Sequence, residues 1–196
     1  EEGEGIRFWM LEAVRQFAQE RLEEQTNRKA VLVQRHAEYY LRFSQTESER
    51  LNKVGFGKAL DRLQDEIGNI RSALEYGMAQ TPLQVAEVMS RLWYYFYLTS
   101  DTNEGQRLVE QALLLSTEQS EVSQRYAFLL FGAGRLNEMI GDRRAALRHH
   151  TKAHHLWVSK QDVAGCRLSA IALARMAQEA GDFTKAVSYY QEVLSL

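Results

Sequence analysis

The chain has 196 residues, of which 45% are hydrophobic and 26% charged, and its net charge is −2. That is material for one globular domain or one short repeat array, without the basic excess by which proteins grip phosphate backbones. The longest apolar run, Leu92 to Thr99, is far too short to cross a bilayer, and no signal-peptide pattern is present.

Only one proline, Pro82, occurs, and no alternation of apolar and polar residues extends beyond a few positions, so helix is expected throughout. Ile6 to Met10 reads as a short extended segment. The first helix is expected from Leu11 to Glu24, with Leu11, Val14, Phe17, Ala18 and Leu22 on one face. A second, from Asn27 to Leu51, is expected to bury Val33, Ala37, Tyr40 and Leu41, before Gly55 and Gly57 break the pattern. Leu60, Leu63, Ile67, Ile70, Leu74 and Gly77 follow in steps of three and four, which predicts one helix with a single seam. Thr81 then serves as an N-cap with Pro82 at the first helical position. The fourth helix runs to about Thr99 and carries Trp93, Tyr94, Tyr95, Phe96 and Tyr97; Trp93 and Phe96 are expected to pack, and Tyr94 and Tyr97 to reach a groove. A fifth helix spans Asn103 to Ser116, with Leu108, Ala112 and Leu115 apolar. Helices at about Ser120–Ile140, Arg143–Lys160, Val163–Ala180 and Phe183–Leu196 complete the chain. Their short connections predict antiparallel neighbours.

Within these last helices a phrase nearly repeats. Gly134, Gly141-Asp142, Ala146 and Ala153 recur as Ala174, Gly181-Asp182, Ala186 and Val193, an offset of 181 − 141 = 40 residues. A glycine can take the left-handed conformation that ends a helix, and an aspartate can cap the next one. Small residues let two helices approach to about 8–10 Å. This pattern resembles the tetratricopeptide repeat, best over residues 127–162, next over 167–196, and loosely over 86–117 through Gly105 and Ala112. Asn137 and Ala177 stand where that family has an aromatic. His150 replaces a second aromatic that Tyr190 keeps, Trp93 sits where a small residue belongs, and the period exceeds the family's usual length of about 34. The resemblance implies an all-α fold of antiparallel hairpins stacked as a right-handed superhelix. The array is assigned to residues 56–196, after an N-terminal helical segment, residues 1–55, that ends a winged-helix or linker region.

A second resemblance lies in the N-terminal half. Arg7-Phe8-Trp9-Met10-Leu11-Glu12-Ala13-Val14-Arg15-Gln16-Phe17-Ala18, His36-Ala37-Glu38-Tyr39-Tyr40 and Glu66-Ile67-Gly68-Asn69-Ile70-Arg71-Ser72-Ala73-Leu74-Glu75-Tyr76 are similar, in this order, to segments that follow the nucleotide-binding core of bacterial STAND-type signalling ATPases and LuxR-like transcriptional regulators. It implies a helical sensing region whose ATPase and any DNA-binding domain lie elsewhere. The chain starts at Glu1 and stops within a helical pattern at Leu196, which agrees with a piece of a longer protein.

Motifs for catalysis are weak. Gly57-Lys58 is the one candidate for a phosphate loop, but Asn52 stands at the first glycine and Ala59 at the magnesium-binding hydroxyl, which favours a plain helix-breaking loop. His150 and His154, beside His149 and His155, share a helix face without a third ligand at a familiar spacing, so packing or surface roles are expected; His36 reads as a partly buried helix residue. Cys166 is a lone thiol with no activating pair, and as the single cysteine it points to a reducing compartment, hence the cytoplasm. Asp65-Glu66 and Glu23-Glu24 read as solvated helix faces, and no serine occupies a nucleophile elbow. The expected protein is not an enzyme and needs no metal or cofactor.

In the repeat family, first helices of successive hairpins line the concave surface. That register implies a partner-binding groove of Tyr94 and Tyr97, then Phe128, Phe131, Arg135 and Glu138, then Leu168, Ile171, Arg175 and Gln178. Arg135 and Arg175 are equivalent, since 175 − 135 = 40. They suit a protein, peptide or small effector bearing carboxylate or phosphate, unless they merely pair with neighbours such as Glu138 and Glu179. Neither nucleic acid nor membrane is expected as a direct partner. The alternatives are a stand-alone scaffold, or self-association through Val187, Tyr190 and Leu194 on the last hairpin.

Overall fold

A computed structural model describes residues 11–23, 26–116 and 123–196. Ten helices and no strand occur among them: α1 (Glu12–Glu23), α2 (Thr26–Ser48), α3 (Phe56–Asp65), α4 (Ile67–Gln80), α5 (Pro82–Leu98), α6 (Thr102–Leu115), α7 (Ser123–Ile140), α8 (Arg143–Lys160), α9 (Val163–Glu179) and α10 (Phe183–Ser195). The expected extended segment at Ile6–Met10, and Glu24, lie outside the described residues.

The turns explain the period. Helices α7, α8 and α9 have 18, 18 and 17 residues. Each is followed by a left-handed residue and an aspartate that caps the next helix, with Ala180 in addition between α9 and Gly181. Gly141 (φ 85°), Gln161 (φ 56°) and Gly181 (φ 79°) adopt the left-handed conformation. Asp142, Asp162 and Asp182 then accept from the amides of Ala145, Gly165 and Lys185. The aspartates are 20 residues apart (162 − 142 and 182 − 162), so two helices and two turns make the 40-residue offset. Earlier in the chain Ser100 (φ 62°) and Asp101 occupy the same junction before α6, with no side-chain cap there.

Helices pack on those near them in the chain. Helix α2 packs on α4 and α5, and α4 on α5; α5 packs on α6 and α7, and α6 on α7; then α7 packs on α8, α8 on α9, and α9 on α10. Glycines make these approaches possible. A β-carbon on Gly132 would lie 2.4 Å from the Trp93 ring, one on Gly105 2.4 Å from Phe96, and one on Gly165 2.3 Å from Trp157. Real β-carbons do not come so close, so each aromatic lies against bare backbone. Trp93 thus meets its small partner across the helix pair, on α7. Phe96 and Trp157 are fully buried, as are Ala146, Ala153 and Ala174, while Ala186 is nearly so.

Several expectations need correction. The seam from Leu60 to Gly77 is two helices, because the chain breaks at Glu66 (φ −104°, ψ 8°). Both halves pack on α2, at separate points: Arg62 on α3 pairs with Glu47, whereas Glu66 and Asn69 meet Tyr40, two turns earlier on α2. Thr81 precedes α5 but makes no side-chain cap; its carbonyl accepts from Gln84 and Val85 instead. Leu11, just before α1, Val14 and Phe17 of α1 and Val33 of α2 are exposed, whereas Ala37 and Leu41 are buried together with Ser44, Glu47 and Ser48. The serines remain satisfied by donating to the carbonyls of Tyr40 and Ser44. Leu115 is exposed, while Leu108 and Ala112 are covered. Gly57 does not break a helix; it lies in the first turn of α3, and Gly55 (φ 86°) forms the turn.

Candidate functional site

The groove residues come from α5, α7 and α9, and their centre is Glu138. Its Oε2 accepts from Arg135 Nη1 at 2.5 Å and from Arg175 Nη2, and its Oε1 lies 3.0 Å from His150 Nε2. Arg135 Nη2 donates to the Tyr97 hydroxyl at 2.6 Å, and its guanidinium stands 4.9 Å from that ring's centroid. One carboxylate therefore ties α7 to α8 and α9, and through Arg135 to α5. The two arginines do meet, as their shared register requires, but around a carboxylate of the chain itself.

Helix spacing accounts for the arrangement. Arg135 and Glu138 are three apart and share a face of α7. His150 reaches Glu138 from α8 because Gly134 leaves room for the imidazole; a β-carbon there would stand 2.5 Å from the ring. His150 has no exposed surface, and its Nδ1 has no hydrogen-bond partner. Burial pushes its pKa below the ordinary value, outweighing the opposing pull of Glu138, and Arg135 and Arg175 push the same way. The neutral tautomer with the proton on Nε2 fits both facts, since a second proton on Nδ1 would find no acceptor. Burial raises the Glu138 carboxyl, but the bond from His150, the charge of Arg135 and the bond from Arg175 together hold it below its ordinary value. With His150 neutral, two guanidiniums and one carboxylate leave one net positive charge.

The remaining groove residues divide. Tyr94 and Tyr97 are half-buried and stack at 6.0 Å between centroids. Phe128 is half-buried against Trp157, while Phe131 lies under the surface between Trp93, His150 and Trp157. Leu168 and Ile171 are 42% and 47% exposed, and Gln178 accepts from the Tyr190 hydroxyl at 3.3 Å. Arg175 is the more accessible arginine, with its side chain 42% exposed against 20% for Arg135. Together these residues present a partly exposed arginine bonded to Glu138, two exposed aliphatic side chains and two half-buried tyrosines.

The histidines separate rather than converge. His149 Nε2 lies 2.9 Å from Glu110, His150 turns to Glu138, and His154 places Nδ1 2.9 Å from Ser169 Oγ and Nε2 3.3 Å from Glu192. Among the described residues no three His, Cys, Asp or Glu side chains gather as metal ligands. Cys166 is buried, and that burial raises its thiol pKa, with Glu192 and Asp162 adding to the shift. No described helix is long and apolar enough to cross a membrane.

A second polar cluster joins two of the segments that carry the resemblance to signalling ATPases. Tyr40 donates to Glu66 Oε2 at 3.1 Å, and Asn69 Nδ2 donates to the same oxygen at 2.6 Å and to the Tyr40 hydroxyl at 3.1 Å. His36 Nε2 lies 3.2 Å from Asn69 Oδ1. Arg71 makes a two-pronged bond to Glu104 on α6, at 2.7 and 2.5 Å, while Ala73 and Leu74 are fully buried. These side chains clamp α2 to α4 and α4 to α6, a packing role. Glu66, read from sequence as a solvated carboxylate, is half-buried in this clamp. Residues 7–10 of the first segment lie outside the described residues.

Neither a protein-family model nor a curated protein matches this chain.

Proposed function

We propose that the chain is a tetratricopeptide-like array acting as a non-catalytic interaction or ligand-sensing module of a larger bacterial signalling ATPase or transcriptional regulator. Its groove, along α5, α7 and α9, takes a protein or peptide segment that carries a carboxylate or phosphate. A right-handed superhelical course sets these three helices on the inner face. Occupancy biases the parent protein between inactive and active states, through whatever difference in affinity the two states have for the partner.

The observation that carries this reading is the convergence of Arg135 and Arg175 on one carboxylate, which leaves an unbalanced positive charge beside exposed Leu168 and Ile171. Arginine recognises carboxylate and phosphate through paired N–H donors, and neighbouring apolar surface supplies the rest of the affinity. A displayed peptide library, screened with free and with amidated C-termini, tests it. The expected result is enrichment of acidic or free-carboxylate peptides, lost in the Arg135→Ala/Arg175→Ala variant. Enrichment indifferent to both amidation and the arginines would refute it.

A further inference from the structure

Helix α8 differs from every other described helix in holding no aspartate or glutamate. Its 18 residues include five cations, Arg143, Arg144, Arg148, Lys152 and Lys160. The whole chain has a net charge of −2, so the residues outside α8 come to −2 − 5 = −7. One helix thus gathers positive charge on a molecule that is otherwise negative.

Packing sorts these cations. Ala145, Ala146, His150, Ala153 and Trp157 form the buried side of α8. Arg144, Arg148 and Lys152 follow at steps of four along the exposed side. The carboxylates that reach α8 from its neighbours go to other residues: Glu179 to Arg143, Glu110 to His149 and Glu192 to His154. Lys152 stands over the Tyr126 ring, 5.2 Å from its centroid. Arg144 and Arg148 are exposed and pair with no carboxylate among the described residues.

Stability does not favour this arrangement. Arg144 stands in the first turn, where the helix macrodipole is positive and a carboxylate would suit better. Like charges four apart on a helix repel, and both steps from Arg144 to Lys152 are such pairs. Beside the cations lies apolar surface. A shallow hollow runs from Leu147 to Ser159, with Leu147 49% exposed and Leu156 partly so. Twelve residues at the rise of an α-helix make it about 18 Å long.

We propose that this side of α8 is a docking surface for an acidic amphipathic helix of a protein partner. The partner's apolar side chains rest on Leu147 and Leu156, and its carboxylates meet Arg144 and Arg148. The patch is one helix wide, which matches a single helix. A nucleic-acid backbone or an anionic bilayer extends past it, onto a molecule that is negative elsewhere. A phosphate backbone also gains nothing from the two leucines. The surface is separate from the groove, because Glu138 meets α8 on its buried side, through His150. It therefore stands independently of the groove's function.

Fluorescence anisotropy on the full chain tests this. The probe is a labelled helical peptide of about four turns, with glutamates on one face and leucines on the other. It should bind saturably. Replacing its glutamates with glutamine, or introducing Arg144→Glu/Arg148→Glu, should weaken binding about tenfold or more. Arg144→Gln/Arg148→Gln should weaken it by a smaller factor, and circular dichroism should show helicity retained in both variants. Arg135→Ala/Arg175→Ala should leave this binding unchanged. The proposal is overturned by a peptide that does not bind, by a glutamine peptide that binds equally, or by indifference to both Arg144/Arg148 variants. Loss in the groove variant alone would overturn it too. So would tighter binding, dependent on Arg144 and Arg148, to single-stranded RNA or to phosphatidylserine vesicles.

Discussion

His150 Nε2 lies 3.0 Å from Glu138 Oε1 while the imidazole rests on the backbone of Gly134, so one buried ring sets both how closely α7 and α8 approach and how the carboxylate is aimed. That relationship makes stability depend on pH. His150 has a folded pKa below 6.5, so as pH falls through that value the unfolded chain takes up the proton first and stability declines. Glu138 adds to the loss at lower pH, beginning near its ordinary 4.5, because its folded pKa is also depressed. His154, likewise lowered chiefly by burial, contributes in the upper window. Urea midpoints should therefore fall as pH drops below about 6.5, and His150→Gln should flatten that slope, leaving the share due to His154. A parent midpoint constant across this window would contradict the account.

The glycines that admit aromatic rings should resist substitution. Gly134→Ala and Gly165→Ala place a methyl within 2.5 and 2.3 Å of the His150 and Trp157 rings, and each should cost about 1–3 kcal/mol. Gly68 lies in the first turn of α4 with nothing within 4 Å of its would-be β-carbon. Gly68→Ala should instead stabilise the protein, by about 0.4–1 kcal/mol. Chemical denaturation of the three variants separates close packing from helix propensity.

Gln161 holds the left-handed position that Gly141 and Gly181 hold in the flanking turns. A β-carbon in that conformation is strained, and glycine removes the strain at the cost of a looser unfolded chain. Gln161→Gly should raise stability by about 0.5–1 kcal/mol, measured as a higher thermal midpoint. A lower midpoint would mean that the glutamine side chain has a role of its own.

The legible part of this molecule was whatever a single residue type demands. Gly141 and Gly181 announced their turns because few other residues adopt a positive φ, and Asp142 and Asp182 announced the caps. The break at Gln161-Asp162 follows from the helix bounds read from the sequence, but its equivalence to the two glycine turns does not, because the period was read from glycine while the structure reads it from aspartate. Trp93 looked misplaced because its small partner, Gly132, lies on another helix, a relation that no local pattern contains. The break at Glu66 (φ −104°, ψ 8°) was hidden because the apolar spacing runs through it unbroken. At the site, register paired Arg135 with Arg175, and both side chains reach Glu138. It did not reveal that Glu138 holds both arginines and His150, since that requires knowing how α7, α8 and α9 lie together.

The two segments with sequence resemblance to signalling ATPases offer a further contrast. Asn69 bridges three side chains in a half-buried setting, and Asn69→Ala should cost about 1–2 kcal/mol. Arg71 and Glu104 are more open to solvent, so despite a two-pronged bond Arg71→Ala should cost at most about 1 kcal/mol. Paired denaturation curves decide the order. The reverse ranking would show that the α4–α6 contact, not the α2–α4 clamp, holds this end together.

The central claim, that two arginines on stacked helices receive an acidic group, is tested most directly by calorimetric titration. An acidic peptide selected on the parent chain is titrated into the parent and into the Arg135→Ala/Arg175→Ala variant, with thermal melts in parallel. The account predicts a loss of about 1.5–3 kcal/mol of binding per charged contact removed, with the helical signal retained. Equal affinity for both proteins would contradict it.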